Sequence, residues 1–216
     1  MDPLRLAIAV IPLATYLLVI GGMNLRKRPL VAGGMGDAAA LAAALSGLVI
    51  VGPLQLFMPL AAAVRFGAYV WGFLLVFYWL CASLVILMMR PRLVIYNITP
   101  ETLRPILGAV VQQLDPKARW AGQSVSMPEL GIELHVESVD SLRNVSLVAA
   151  DTIQNLTGWR HFEQSLRGAL QQTKVPRGAR GALFVICATA ALVSAVAHML
   201  LDPQAVAVAL NQMLRP

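Results

Sequence analysis

The sequence predicts a polytopic membrane protein: four transmembrane α-helices, grouped three and one, with a small α/β domain inserted between the third and the fourth. Three observations predict it. Four apolar runs each supply the roughly 20 residues a helix needs to cross the hydrocarbon core of a bilayer. Between Pro91 and Val175 the hydrophobic monotony breaks, and the chain reads like a water-soluble domain. Over the whole chain 58% of residues are hydrophobic and 13% are charged, where globular proteins carry about 25% charged residues. The division that follows is 1–90 for three spans, 91–175 for the domain, and 176–216 for the last span and a terminal helix.

The first run extends from about Leu6 to Gly22. Its strong positive charge, Arg26-Lys27-Arg28, follows the run, and Gly21-Gly22-Met23 is a poor cleavage site. A signal peptide has the reverse arrangement, so this is a retained helix. Pro12 is tolerable there because neighbouring helices can re-satisfy freed backbone groups. The second run, about Ala38 to Val64, has two halves. Ala39, Ala43 and Gly47 fall four apart, a small-residue stripe that lets another helix approach closely. Pro53, Gln55 and Pro59 follow, and they fit either a kinked packing helix or a broken helix lining a solute site.

A short connection at Arg65 leads into the third run, about Phe66 to Met89, making these two an antiparallel hairpin. Tyr69 and Trp71 suit an interfacial aromatic belt. The fourth run, Ala182 to Leu201, carries Ala190, Ser194 and His198 on one face. Asp202-Pro203 then opens a short amphipathic helix, Gln204 to Leu214, suited to the interface. Gln55 and His198 are the candidate polar sites within the spans. His198 lies within a turn of Asp202, which predicts a neutral imidazole hydrogen-bonded at the interface.

Charge sets the expected orientation. The first loop and the two ends of the insert hold Arg26, Lys27, Arg28, Arg90, Arg92, Lys174, Arg177 and Arg180, against Arg5, Arg65 and Arg215 on the opposite side. Short loops rich in Lys and Arg stay in the cytoplasm. Both termini are therefore expected outside a plasma or inner membrane, with 91–180 cytoplasmic. The net charge of +6 does not signal nucleic acid, because its excess clusters at the ends of the apolar runs while Leu93–Val175 is close to neutral. That distribution reads as membrane topology, not as a phosphate-binding surface.

Within the insert, Leu93 to Ile98 is rich in β-formers, and Thr99-Pro100 then opens a helix whose Leu103, Ile106, Leu107, Val110 and Val111 form an i, i+3, i+4 stripe. Asp115-Pro116 ends it. Three extended segments follow, about Arg119 to Ser126, Gly131 to Val139 and Asn144 to Ala150, and then a second amphipathic helix, Thr152 to Gln172. The predicted order is β-α-β-β-β-α, a mostly antiparallel sheet with two helices on one face. The segment Arg92 to Lys174 is expected to fold without its anchors.

Candidate chemistry is sparse. Glu133, His135 and Glu137 share one strand face, about 7 Å apart, and their side chains are of types that ligate zinc. Neighbours on a flat strand diverge, so a solvated face without metal is expected. Gly33-Gly34-Met35-Gly36 lacks the Lys-Ser/Thr of a phosphate loop. Cys81 and Cys187 lie in apolar runs and behave as small hydrophobes. The sequons at Asn97, Asn144 and Asn155 matter only in a secretory lumen.

The expectation is a non-enzymatic docking or assembly subunit of a membrane complex, without cofactor. Its expected partners are the lipid bilayer and another membrane or cytoplasmic protein, with no nucleic acid. A transporter or channel component using the Pro53-Gln55-Pro59 break is the alternative, and a metal-dependent or intramembrane enzyme ranks third.

Overall fold

The computed structural model describes residues 2–139, 143–151, 155–176 and 179–214. In chain order the elements are α1 (Pro3–Asn24), β1 (Leu30–Gly33), α2 (Gly34–Val49), α3 (Leu60–Phe66), α4 (Tyr69–Met88), β2 (Arg92–Tyr96), α5 (Pro100–Leu114), β3 (Arg119–Ala121), β4 (Ser124–Met127), β5 (Ile132–Val139), β6 (Asn144–Ala149), α6 (Leu156–Gln172), α7 (Ala179–Leu201) and α8 (Pro203–Leu214). They divide into two compact units. One comprises Met1–Ile20, Ala38–Leu87 and Leu183–Pro216; the other comprises Gly21–Asp37 and Met88–Ala182.

The first unit is helical. Four helices are long and apolar enough to cross a membrane: Pro3–Asn24, Gly34–Leu54, Tyr69–Met88 and Arg180–Leu201. The buried positions on these helices are mostly small: Ala7 and Ala14 on α1, Ala44 on α2, Ala188 and Ala195 on α7. Small residues at such positions let backbones approach, as membrane helix packing requires. Gly47 is the tightest of these contacts, since a Cβ there would lie 1.9 Å from the Ile8 carbonyl oxygen. The Tyr78 hydroxyl donates to the Ala42 carbonyl at 2.6 Å, tying α4 to α2. Trp71 Nε1 donates to the Met213 carbonyl at 2.7 Å, tying the start of α4 to the end of α8.

The second span begins four residues earlier than the sequence predicts and does not run to Val64. A π-helical turn at Ile50–Leu54, containing Pro53, continues α2. Proline lacks an N–H and clashes with the preceding turn, and a π-bulge is one way a helix absorbs it. The chain then breaks before Pro59, which opens the separate helix α3.

The second unit is built on a six-stranded sheet of order β1-β2-β6-β5-β4-β3, antiparallel at every pairing. Helices α5 and α6 cover one face. Leu93, Ile95, Leu134, Val145 and Leu147 from the sheet pack with Leu103, Leu107, Phe162 and Leu166 from the helices in one core. The amphipathic stripes read from the sequence fill that core.

Two features depart from the predicted β-α-β-β-β-α order. First, Leu30–Gly33, in the loop after the first span, pairs in register with Leu93–Tyr96 as an added edge strand. Val31 reaches the core from it, so the domain takes in residues 21–37 as well as the insert. Second, the segment expected as one strand from Arg119 to Ser126 is a hairpin, β3 and β4. Its turn places Gly122 at φ +63°, a left-handed backbone that glycine adopts without steric cost.

Helix α6 starts at Leu156, later than expected, because the Asn155 side chain caps it by accepting from Thr157 N at 3.1 Å. Of the positions the sequence singled out, Thr152, Ile153, Arg177 and Arg215 lie outside the described residues, as does most of the Asp140–Arg143 turn.

Candidate functional site

The face of the sheet away from the helices carries Glu133, His135 and Glu137. Cross-strand serines on β4 engage two of them. Ser126 Oγ donates to Glu133 Oε1 at 2.8 Å, and Ser124 Oγ lies 2.9 Å from His135 Nδ1. These are the cross-strand partners that the register dictates. Glu137 lies opposite Ser146 on β6. Among the described residues no three His, Cys, Asp or Glu side chains are grouped so as to hold a metal ion. The one buried carboxylate among the described residues, Asp115, serves the fold: it accepts from Lys117 N at 2.9 Å and from Glu129 N at 2.8 Å.

Gln55 sits just past the π-helical turn; with its amide turned so that both atoms find partners, Nε2 donates to the Val51 carbonyl at 3.3 Å and Oε1 accepts from Arg5 Nη2 at 2.8 Å. Arg5 also pairs with Asp2 at 3.1 Å. At 1.5 Å per residue, Gly34–Leu54 supplies about 31 Å of helix before the break. The break therefore falls at the end of a helix long enough to cross a membrane and not at its midpoint. His198, in the last turn of α7, has Nδ1 2.9 Å from the Ser194 carbonyl. Asp202 instead caps α8 by accepting from Ala205 N at 3.0 Å. Of the small-residue stripe, Gly47 is buried, Ala39 is half-buried and Ala43 is exposed, while Ala44 faces inward.

Sequence reasoning missed two surfaces of the sheet unit. The first is a cleft of about 490 Å³ lined by Leu25–Val31 and by Arg167, Leu170 and Gln171. Its wall is the loop between α1 and β1, and that loop is clamped by its own carbonyls. Asn97 Nδ2 donates to Arg26 O at 2.6 Å, and Val175 N donates to Lys27 O at 2.9 Å. With the backbone fixed inward, Arg26, Lys27 and Arg28 are all exposed. Across the cleft, Arg167 holds Glu163 Oε1 through Nε at 2.9 Å and Nη2 at 2.7 Å. Strand β2, the partner of β1, is anchored at the start of α2 by Asp37, which accepts from the Tyr96 hydroxyl and lies 3.7 Å from Arg92 Nη2.

The second missed surface is the edge strand β3. It pairs only with β4, and Arg119, Trp120 and Ala121 are all exposed. Beside it a narrow groove of about 90 Å³ is lined by Pro100, Leu103, Leu107, Trp120 and Val136, among others. Trp120 is 40% exposed, unusual for the largest apolar side chain on an open sheet edge. No sequence motif marks this surface; it arises because Gly122 turns the chain into a hairpin.

No family model, curated protein or solved structure matches the chain. The functional reading therefore rests on these surfaces alone.

Proposed function

We propose that this chain is a non-enzymatic membrane subunit whose α/β domain docks another protein on the cytoplasmic side. The observation that carries the reading is the open edge at β3. Natural sheets blunt exposed edges with charge, proline, bulges or a covering element. Here the edge is three residues long and carries one charge, Arg119, and it presents Trp120 beside a largely apolar groove. An extended segment of a partner adding as a further strand would gain main-chain hydrogen bonds, and the groove would read its side chains.

A second feature suits a fixed interface. Because β1 is part of the sheet, the chain passes between the two units at both ends of Gly21–Asp37 and at both ends of Met88–Ala182. Four chain crossings thus tether the domain, where a single linker would give one. The excess of Lys and Arg flanking these segments supports a cytoplasmic domain with both termini outside.

The test is copurification from native membranes in mild detergent. A partner should be recovered with the unaltered chain and lost with Trp120→Glu, while the melting temperature of the variant stays within a few degrees. Gln55→Leu should leave recovery unchanged. Transport as an alternative gains no support from the helix break, since Gln55 is satisfied by Arg5 and lies beyond the end of a complete span.

A further inference from the structure

We propose that the basic cleft between the α1–β1 loop and α6 binds a phosphate group, carried most simply on an anionic lipid headgroup. Topology alone accounts for basic residues after a first span. It does not account for what this fold does with them.

Three consecutive cationic side chains line one cavity because the carbonyls beneath two of them are pinned by Asn97 and Val175. A fourth cation, Arg167, reaches the same cavity from α6, about 140 positions away in sequence. The cavity, about 490 Å³, falls within the size range of small-ligand sites, about 300–1,000 Å³. No carboxylate lines it. Arg26, Lys27 and Arg28 make no ion pair among the described residues.

The guanidinium of Arg167 is oriented by Glu163 through Nε and Nη2, which leaves Nη1 uncommitted. Guanidinium groups fixed in this way match the planar, multidentate acceptor geometry of a phosphate. Apart from Gln171, the rest of the lining is apolar, including Leu25, Pro29 and Leu170. The cleft begins one residue beyond the end of α1, where an apolar span meets water. Clusters of about 4–8 Lys and Arg at that position read as anionic-lipid sites, and Arg167 joins Arg26, Lys27 and Arg28 in space to make four. A free phosphate ester offers the same group to the same donors, so the two sources need separating by experiment.

The full chain is purified in a neutral detergent and its melting temperature is followed in three arms: added phosphatidylglycerol, added phosphatidylcholine, and inorganic phosphate alone. A ligand bound by the folded state raises the melting temperature by mass action. Phosphatidylglycerol should raise it in a saturable manner and phosphatidylcholine should not. A saturable rise with inorganic phosphate alone identifies a free phosphate as the source; a rise with the lipid only identifies the headgroup.

Arg26→Gln combined with Arg28→Gln should weaken apparent affinity by at least about tenfold, since each basic residue at such a surface contributes on the order of fivefold. These side chains are exposed, so the variant keeps its fold and its unliganded melting temperature. Arg65→Gln combined with Lys117→Gln removes the same charge elsewhere on the chain and should leave affinity unchanged. The proposal is overturned if neither anion shifts melting, or if the two double variants lose affinity equally, which would make the attraction one of net charge.

Discussion

The Asn97 side chain donates to the Arg26 carbonyl at 2.6 Å, across 71 residues of sequence. Asn97 is fully buried and its backbone lies at φ +60°, in the left-handed region that asparagine tolerates better than most residues. One residue thus turns the chain out of β2 and fastens the loop after the first span to the sheet. Asn97→Ala should lose both roles. The unmade hydrogen bond costs about 1–3 kcal/mol, and the left-handed backbone adds about 1 kcal/mol. The loss of an amide oxygen that has no partner in the structure offsets part of this. A fall of several degrees in melting temperature is expected. Asn97→Gly should recover the backbone part only. Equal effects of the two substitutions would mean that backbone strain plays no part.

The β1 strand changes what an isolated domain should do. A fragment spanning Arg92 to Lys174 lacks Leu30–Gly33, so it opens the edge of β2 and removes Val31 from the core. An opened edge is a template for self-pairing. The fragment should melt below the complete unit and self-associate. A peptide covering residues 25–34 should raise its melting temperature in trans, and the same peptide with Val31→Asp should not. A monomeric fragment indifferent to the peptide would show that β1 contributes nothing to stability.

These residues also show how much of the fold could be read from the sequence. The four long apolar helices were legible because roughly 20 consecutive apolar residues have few other uses. The stripes of α5 and α6 were legible because Leu103, Leu107 and Val110, like Phe162, Leu166 and Leu170, repeat at helical spacing. β1 was not, because four residues next to Pro29 in a basic loop carry no periodicity, and their strand character exists only in the partner β2. The β3–β4 hairpin was missed because its turn is Gly122-Gln123, without the Asn-Gly or Asp-Gly pair that usually marks one. The cleft was illegible for the same reason as β1: nothing near Arg167 in sequence says that it faces Arg26.

Strand register on β5 makes a sharp comparison between neighbours. Leu134 is fully buried in the core, whereas Glu133, one residue away, is on the polar face with Ser126. Leu134→Asp places an unpaired charge among apolar side chains, a cost of several kcal/mol, and should unfold the domain. Glu133→Lys loses the exposed hydrogen bond from Ser126, worth about 1 kcal/mol. Zinc should leave the melting temperature of the protein unchanged, because Glu133, His135 and Glu137 diverge on a flat strand. A zinc-dependent rise abolished by His135→Ala would revive a metal site.

Helix packing offers a matched pair of glycines. A Cβ at Gly47 meets the Ile8 carbonyl oxygen at 1.9 Å and Pro12 Cγ at 3.1 Å, whereas one at Gly52 meets nothing within 4 Å. Gly47→Ala must push α1 and α2 apart, and overpacking of this kind typically costs about 1–3 kcal/mol. It should lower the melting temperature in detergent by several degrees, with Gly52→Ala near neutral. Equal tolerance of both would mean that the two helices are not in close contact at Gly47.

Membrane orientation can be tested with single cysteines in a chain whose Cys81 and Cys187 are replaced by Ser. Gln164, exposed on α6, and Gln212, exposed on α8, report on opposite sides if the four apolar helices all cross. On intact cells a membrane-impermeant maleimide should label Gln212→Cys and spare Gln164→Cys until the membrane is permeabilised. Reversed labelling would keep the four crossings but put the domain outside, overruling the Lys and Arg asymmetry. Labelling of both would mean that α7, the apolar helix between the two probes, does not cross. The apolar length of one span would then be serving to bury it against another chain or along the interface.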